Sequence, residues 1–272
     1  MRVRSPIVEG IFYPDDSEGV LSFMRGIGLR HGRGDFARAI LAPHGAWEIS
    51  GSLAGAAFAS AAGRVSRRCP SRIVLMGPIH NCEEEGVFLS NSHSFQTPLG
   101  DIPVDQEAVR WLEAYSPLVR VHDIPHLHEH SIEVLLPFVH FFFPGIPIVP
   151  ILVGGERRQH VSVLGNALRA VFRPIVEDTL IVASFNLSAD QGGGREQEHI
   201  DRCMRLFREG KMEKLRGAFD RGQIDGCGSA PVNALMKSGL LDGTRPSLAS
   251  ESLLNARDEQ DRTVYYGAFS FV

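Results

Sequence analysis

The sequence is short of the features that most quickly assign a protein. Its 272 residues include only four cysteines, Cys69, Cys82, Cys203 and Cys227, irregularly spaced and without a Cys-x-x-Cys pair. That excludes a disulfide framework and reads as a reducing, cytoplasmic setting, where a cysteine in a pocket is a candidate thiolate or metal ligand. No run of about 18 apolar residues occurs, so no membrane association is expected. The opening MRVRSPIVEG also lacks the apolar core of a signal peptide. Basic clusters are confined to 64–68 and to Arg157-Arg158, and the net charge is −4, which argues against a nucleic-acid partner. Gly-x-Ser-x-Gly, P-loop and Gly-x-Gly-x-x-Gly motifs are missing too. Serine hydrolase, NTPase and dinucleotide readings are therefore left without support.

What is there is an ordinary globular composition, 43% hydrophobic and 22% charged. A chain of this size buries roughly three quarters of its unfolded surface and needs no staples. Short apolar runs at 39–42, 73–76, 86–89, 148–153 and 179–183 read as strands buried on both faces. Helical patterns at 50–62, 105–115, 131–143, 158–172 and 196–219 alternate with them. The expected fold is α/β, a three-layer α/β/α domain around a mostly buried central sheet. No linker divides 1–272, so one domain is expected, and Gly192-Gly193-Gly194 reads as a loop.

Three of these strands end in polar residues. Run 39–42 ends in Pro43-His44-Gly45, run 73–76 in Gly77-Pro78-Ile79-His80, and run 179–183 in Ser184-Phe185-Asn186. Ligands of open α/β sheets bind outside the carboxyl ends of strands, so His44, His80 and Asn186 should converge on one sheet edge. Each histidine taken alone reads equally well as a hydrogen-bonded strand-end residue. Taken together they suit iron, copper or zinc. Gly45, Gly51 and Gly77 are expected to let the backbone turn sharply there. Asp225-Gly226-Cys227-Gly228 offers a cysteine between glycines, either a buried structural thiol or a ligand facing a cavity. His126, His128 and His130 would share one face of an extended segment, suiting a metal or merely a solvated loop. His130 is the one most apt to point inward and move protons near neutral pH. Ser131 could cap the helix that follows, and Glu83-Glu84-Glu85 reads as a solvated turn. Trp47 reads either as core packing or as a wall of a substrate pocket.

Several stretches in order resemble the Memo family, including the Memo-type components of the AmmeMemoRadiSam set. They are Val3-Arg4-Ser5-Pro6 with Gly10-Ile11-Phe12-Tyr13-Pro14; Ala42-Pro43-His44-Gly45-Ala46-Trp47 with Ser50-Gly51; Gly77-Pro78-Ile79-His80; Thr97-Pro98-Leu99-Gly100; and Glu129-His130-Ser131-Ile132-Glu133-Val134-Leu135-Leu136-Pro137-Phe138. The resemblance runs from Val3 to about Phe269. It implies a fold similar to the LigB-like class III extradiol dioxygenases, a non-haem iron site held by His44, His80 and Cys227, and His130 as a pocket histidine that moves protons.

The chain also departs from that pattern. Where the family has Ser-Ser-Asp-Leu-Ser-His, this sequence has Ser184-Phe185-Asn186-Leu187-Ser188-Ala189, so an acid and a histidine are replaced by Asn186 and Ala189. The family's tyrosine is Trp47. The leading expectation is an Fe(II)-dependent, dioxygenase-like oxidoreductase acting on a small organic substrate, with Trp47 and Asn186 shaping the pocket. The alternative is a module that holds iron or copper, or a protein partner, without turnover. A metal-independent hydrolase with Cys227 as nucleophile has no motif behind it. Homo-oligomerisation is left open.

Overall fold

The structure is a computed structural model that describes residues 2–28, 37–62, 69–81, 83–155, 157–188, 196–257 and 263–272. Cys82, Ala189, Gly192-Gly193-Gly194 and the 64–68 cluster lie outside the described residues. The first half of the chain runs β1 (Val3–Arg4), α1 (Ser17–Gly28), β2 (Ala39–Ala42), α2 (Ser52–Ala62), β3 (Arg72–Pro78), β4 (Gly86–Leu89), β5 (Ser94–Thr97), β6 (Gly100–Pro103), α3 (Gln106–Tyr115), β7 (Val119–Val121), α4 (Asp123–His128) and α5 (Leu136–Phe142). The second half runs β8 (Ile148–Gly154), α6 (Arg158–Phe172), β9 (Thr179–Ser184), β10 (Asn186–Ser188), α7 (Glu196–Glu209), α8 (Met212–Asp220), β11 (Gly226–Cys227), α9 (Ser229–Ser238), β12 (Pro246–Leu248), β13 (Leu254–Arg257), β14 (Thr263–Tyr266) and β15 (Phe269–Phe271).

Eight strands form the central sheet in the order β12-β15-β2-β9-β3-β8-β4-β7. Its middle is parallel, β2 with β9, β9 with β3 and β3 with β8. β15 joins β2 and β4 joins β8 antiparallel. Every residue of β2, β8 and β9 is buried, as strands covered on both faces must be. Helices α1, α2 and α5 pack together, with α2 against β2 and β15. Helices α3, α6, α8 and α9 form a second group, with α6 and α9 against β3, β4, β8 and β9. The fold is therefore the expected α/β arrangement, a large mixed sheet flanked by helices. Among the described residues no helix is long and apolar enough to cross a membrane.

Three helical expectations need correction. The 131–143 pattern begins as a short 3-10 turn over Glu133–Leu135 and becomes α-helical only from Leu136. Pro137 has no N–H to give to the carbonyl four residues back, so a continuous α-helix cannot run through it. Ser131 is not the cap; its hydroxyl donates to the Pro78 carbonyl at 2.7 Å. The 196–219 pattern is two helices, divided at Gly210, whose φ of 64° is left-handed. Asp105, by contrast, caps α3 by accepting from the Ala108 N–H at 3.0 Å.

One buried ion pair ties the chain's start to the segment before α5. Arg4, 1% exposed, is paired with Glu133, which is fully buried. Arg4 also donates to the carbonyls of His126 (2.9 Å) and Glu129 (2.8 Å). Glu133 accepts from the N–H groups of Ile7 (2.9 Å) and Val8 (2.8 Å) and from the Tyr13 hydroxyl (3.1 Å). Removing one partner of such a pair strands the other as an uncompensated buried charge. Glu133→Ala should cost about 3–5 kcal/mol in urea denaturation; a loss under about 1 kcal/mol would show the pair to be dispensable.

Candidate metal centre

The parallel register β2–β9–β3 places three strand ends side by side, with Ala42 opposite Ser184 and Met76 opposite Ala183. His44 and His80 each lie two residues beyond a strand end, so both reach the same edge. Cys227 arrives by another route. A small four-stranded sheet, β11-β10-β14-β13, continues from β9, and its pairing sets Cys227 opposite Asn186. The Asn186 side-chain carbonyl accepts the His44 backbone N–H at 3.0 Å, fixing the loop that carries the imidazole.

The three donor side chains meet. Ligand atoms of His44, His80 and Cys227 lie within 4.8 Å of one another. His80 Nε2 stands 2.6 Å from Cys227 Sγ, and the His44 and His80 ring centroids are 5.2 Å apart. His44 is 2% exposed, whereas His80 and Cys227 are partly exposed, so the cluster has a closed floor and an open side.

The hydrogen bonds fix which nitrogen of each ring is available. The Ser184 hydroxyl donates its single proton to the Ser131 carbonyl at 2.8 Å. Its 2.6 Å contact with His44 Nδ1 must then be a bond donated by the ring. His44 Nε2 is left as a bare lone pair, buried and without a hydrogen-bond partner. Burial, reinforced by the nearby His80 and His130, pushes the His44 pKa well below its usual 6.5, so the ring is neutral. His80 Nδ1 is 2.8 Å from Glu129 Oε1, which leaves its Nε2 facing Cys227. Burial lowers the His80 pKa, but hydrogen bonds to Cys227 and Glu129 outweigh it and raise the value to about 10. The Nε2 proton shared with sulfur is the one a cation would replace. Metal–ligand bonds of about 2.0–2.3 Å would also need that contact to open.

A second grouping, His80, Glu129 and His130, is close enough to hold an ion. Its carboxylate, however, is already engaged. Glu129 accepts from His80 N (2.5 Å), His80 Nδ1, His130 N (2.9 Å) and Ser131 N (2.7 Å). Burial raises its pKa, yet the His80 bond and charge dominate and hold it at about 2, an anion. The set left to a cation is therefore His44, whose Nε2 is bare, with His80 and Cys227 once the proton they share is displaced.

The other expected site residues are distributed unevenly. The His130 ring lies over His80, centroids 4.8 Å apart and planes 20° from parallel, with Phe12 at its edge. His126 and His128 do not share its face, because the segment through His128 is helical rather than extended. His126 is buried and donates Nε2–H to the Phe88 carbonyl at 3.1 Å. Trp47 packs on Tyr13, Phe23 and Phe138 and donates its ring N–H to the Val134 carbonyl at 3.0 Å, which is core packing. Gly45, Gly51 and Gly77 do not use glycine's left-handed freedom, since none has a positive φ, though the chain does bend at Gly45. They supply clearance, since a Cβ would meet Tyr266 Cε1 at 2.9 Å, Phe23 Cζ at 2.7 Å and Ser131 Oγ at 2.5 Å respectively. Glu129 and Ser184 went unnoticed in the sequence. Their signals were an acid directly before His130 and a hydroxyl at the end of a strand flanking the histidine strands.

Residues 4–266 match the profile of the Memo family, described as Memo-like protein. The chain belongs to the Memo-like family. A MEMO1 family protein of Aeropyrum pernix is 29% identical over 261 residues, covering 90% of this chain and 91% of the relative. One from Thermococcus onnurineus is 32% identical over 189 residues, 67% and 64% of the two chains. An uncharacterized Escherichia coli K12 protein of known structure covers 98% of this Memo-like chain and 99% of its own at 13% identity and a TM-score of 0.44, too distant to bear on the site.

Gly228, which follows the cysteine, has a φ of 99°, and a Cβ there would run into the Ser184 carbonyl. Gly228→Ala should destabilise the protein by more than about 1 kcal/mol in thermal or urea unfolding, and should disturb Cys227 and Ser184 together. An unchanged unfolding curve would contradict that close approach.

Proposed function

We propose that this Memo-like protein is a non-haem Fe(II)-dependent oxidoreductase acting on a small organic substrate, its metal held by His44, His80 and Cys227. The observation that carries this reading is the buried, unpartnered His44 Nε2, on a ring whose ligand atom lies within 4.8 Å of those of His80 and Cys227. A neutral imidazole lone pair left without a donor costs free energy unless something electrophilic occupies the space in front of it. Two imidazoles and a thiolate suit iron and also copper, the other metal this donor set accepts. When bound, iron supplies redox change and open coordination positions.

The remaining residues act around that centre. Ser184 holds His44 in one tautomer, and Glu129 orients the His80 ring through Nδ1. Asn186 anchors the His44 loop. His130, stacked on His80 at the open side, is the group in place to take or return a substrate proton. Trp47 supports the floor from the core.

A second reading, a module that holds iron or copper or a protein partner without turnover, is favoured by one observation. Asn186 is a neutral amide whose oxygen is already bonded to the His44 N–H, so no acid or base stands at that position.

Anaerobic purification and Fe(II) loading should give about one iron per chain, with His44→Ala and Cys227→Ala each losing most of it. Unchanged metal content in both variants would overturn the metal reading. Dioxygen uptake that depends on a small organic substrate supports the enzyme; stable iron binding with no uptake across a broad substrate panel supports the module.

A further inference from the structure

Among the described residues, a carboxylate stands directly behind one of the three proposed ligands. Glu129 is 1% exposed, and four N–H donors converge on its two oxygens. Donors aimed at both oxygens favour the ionised form, so the side chain is held as an anion. Its ion-pair neighbours are the histidines His80 and His130, and among the described residues no arginine or lysine reaches its carboxylate. Arg4 reaches the Glu129 backbone carbonyl, while its charge is matched by Glu133.

We propose that Glu129 sets the charge this site accepts, making the His44–His80–Cys227 centre select a divalent cation over a monovalent one. The inference rests on the metal reading above. Two neutral imidazoles, one thiolate and the Glu129 carboxylate sum to −2. A divalent ion brings that sum to zero, whereas Cu(I) leaves one uncompensated negative charge. Uncompensated charge is costly where water is excluded, and His44 and Glu129 are both within 2% of full burial. His130, 3.5 Å from Glu129 Oε1, and the surrounding backbone dipoles also act more strongly on the divalent ion, but they are common to wild type and Glu129 variants, so they cancel from the ratio between them. Glu129 also orients His80 through Nδ1, and such ring-orienting carboxylates strengthen metal binding generally. Orientation alone would act on both ions alike; charge would not. Glu129 is on this view a positioning and specificity-determining residue that need not touch the metal.

The experiment is anaerobic titration of the full-length protein with Co(II), followed by its thiolate charge-transfer band, and with Cu(I) by chelator competition. In Glu129→Gln, Co(II) affinity should fall by about 10–100-fold. Cu(I) affinity should fall at least tenfold less, so the preference ratio shifts toward the monovalent ion. Glu129→Asp, which keeps the charge, should keep the wild-type ratio. Ser184→Ala, which loosens His44 without changing charge, should weaken both ions together. Glu129→Ala, read in parallel, should lose the preference and regain it in formate, so the test does not depend on one variant folding. Equal losses for the two ions in Glu129→Gln, or the same ratio shift in Ser184→Ala, would overturn the inference while leaving the metal reading intact. A wild-type protein that binds neither ion would overturn both.

Discussion

A serine hydroxyl has one proton, and at Ser184 two neighbours compete for it. The Ser131 carbonyl can only accept, so the proton goes there, and His44 must bring its own hydrogen to the 2.6 Å contact. That one constraint decides the tautomer of a fully enclosed ring and turns its other nitrogen into a bare lone pair. Glu129 likewise takes the Nδ1–H of His80, turning its Nε2 and the proton there toward Cys227. Both controlling groups meet at one short stretch, 129–131, which supplies a carboxylate to one histidine and, through Ser184, a carbonyl to the other. The chemistry of the site depends on that stretch being held still.

The fold provides this restraint at several levels. Parallel pairing of β2, β9 and β3 aligns the strand ends, so that Ala42, Ser184 and Pro78 deliver their loops to one edge. The Ser131 hydroxyl bonds to the Pro78 carbonyl, and the close approach needs the absence of a Cβ at Gly77. From the far side, the buried Arg4–Glu133 pair ties residues 4–8 to the same segment through the carbonyls of His126 and Glu129. Cys227 is brought in by the β10–β11 pairing, where Gly228 permits the backbone to pass against Ser184.

Much of this was legible in the sequence because burial on both faces leaves a strong pattern. The runs at 39–42, 86–89, 148–153 and 179–183 are strands almost to the residue, since a fully covered strand admits little but aliphatic side chains. The convergence of His44 and His80 followed from strand-end topology alone. Cys227 did not; it lies 147 residues from His80 in sequence and is brought near by the β10–β11 pairing, and only family resemblance suggested it. Helix breaks at Pro137 and Gly210 were passed over because apolar periodicity continues across them. Glu129 and Ser184 were missed because they act through another residue, and such roles carry no spacing signature. Gly45 does sit at a bend, but the clearance that Gly45, Gly51 and Gly77 all provide becomes visible only once neighbours are in place.

Where this chain departs from its family's pattern, Asn186 serves as a support, bonded to the His44 backbone and opposite Cys227. A neutral amide suits that task and leaves the charge of the centre to sulfur and Glu129. The most direct test of this account is X-ray absorption at the iron edge of the Fe(II)-loaded protein. The account predicts one sulfur and two imidazole nitrogens around iron, with the sulfur lost in Cys227→Ala. A shell of nitrogen and oxygen alone, unchanged by that substitution, would contradict it.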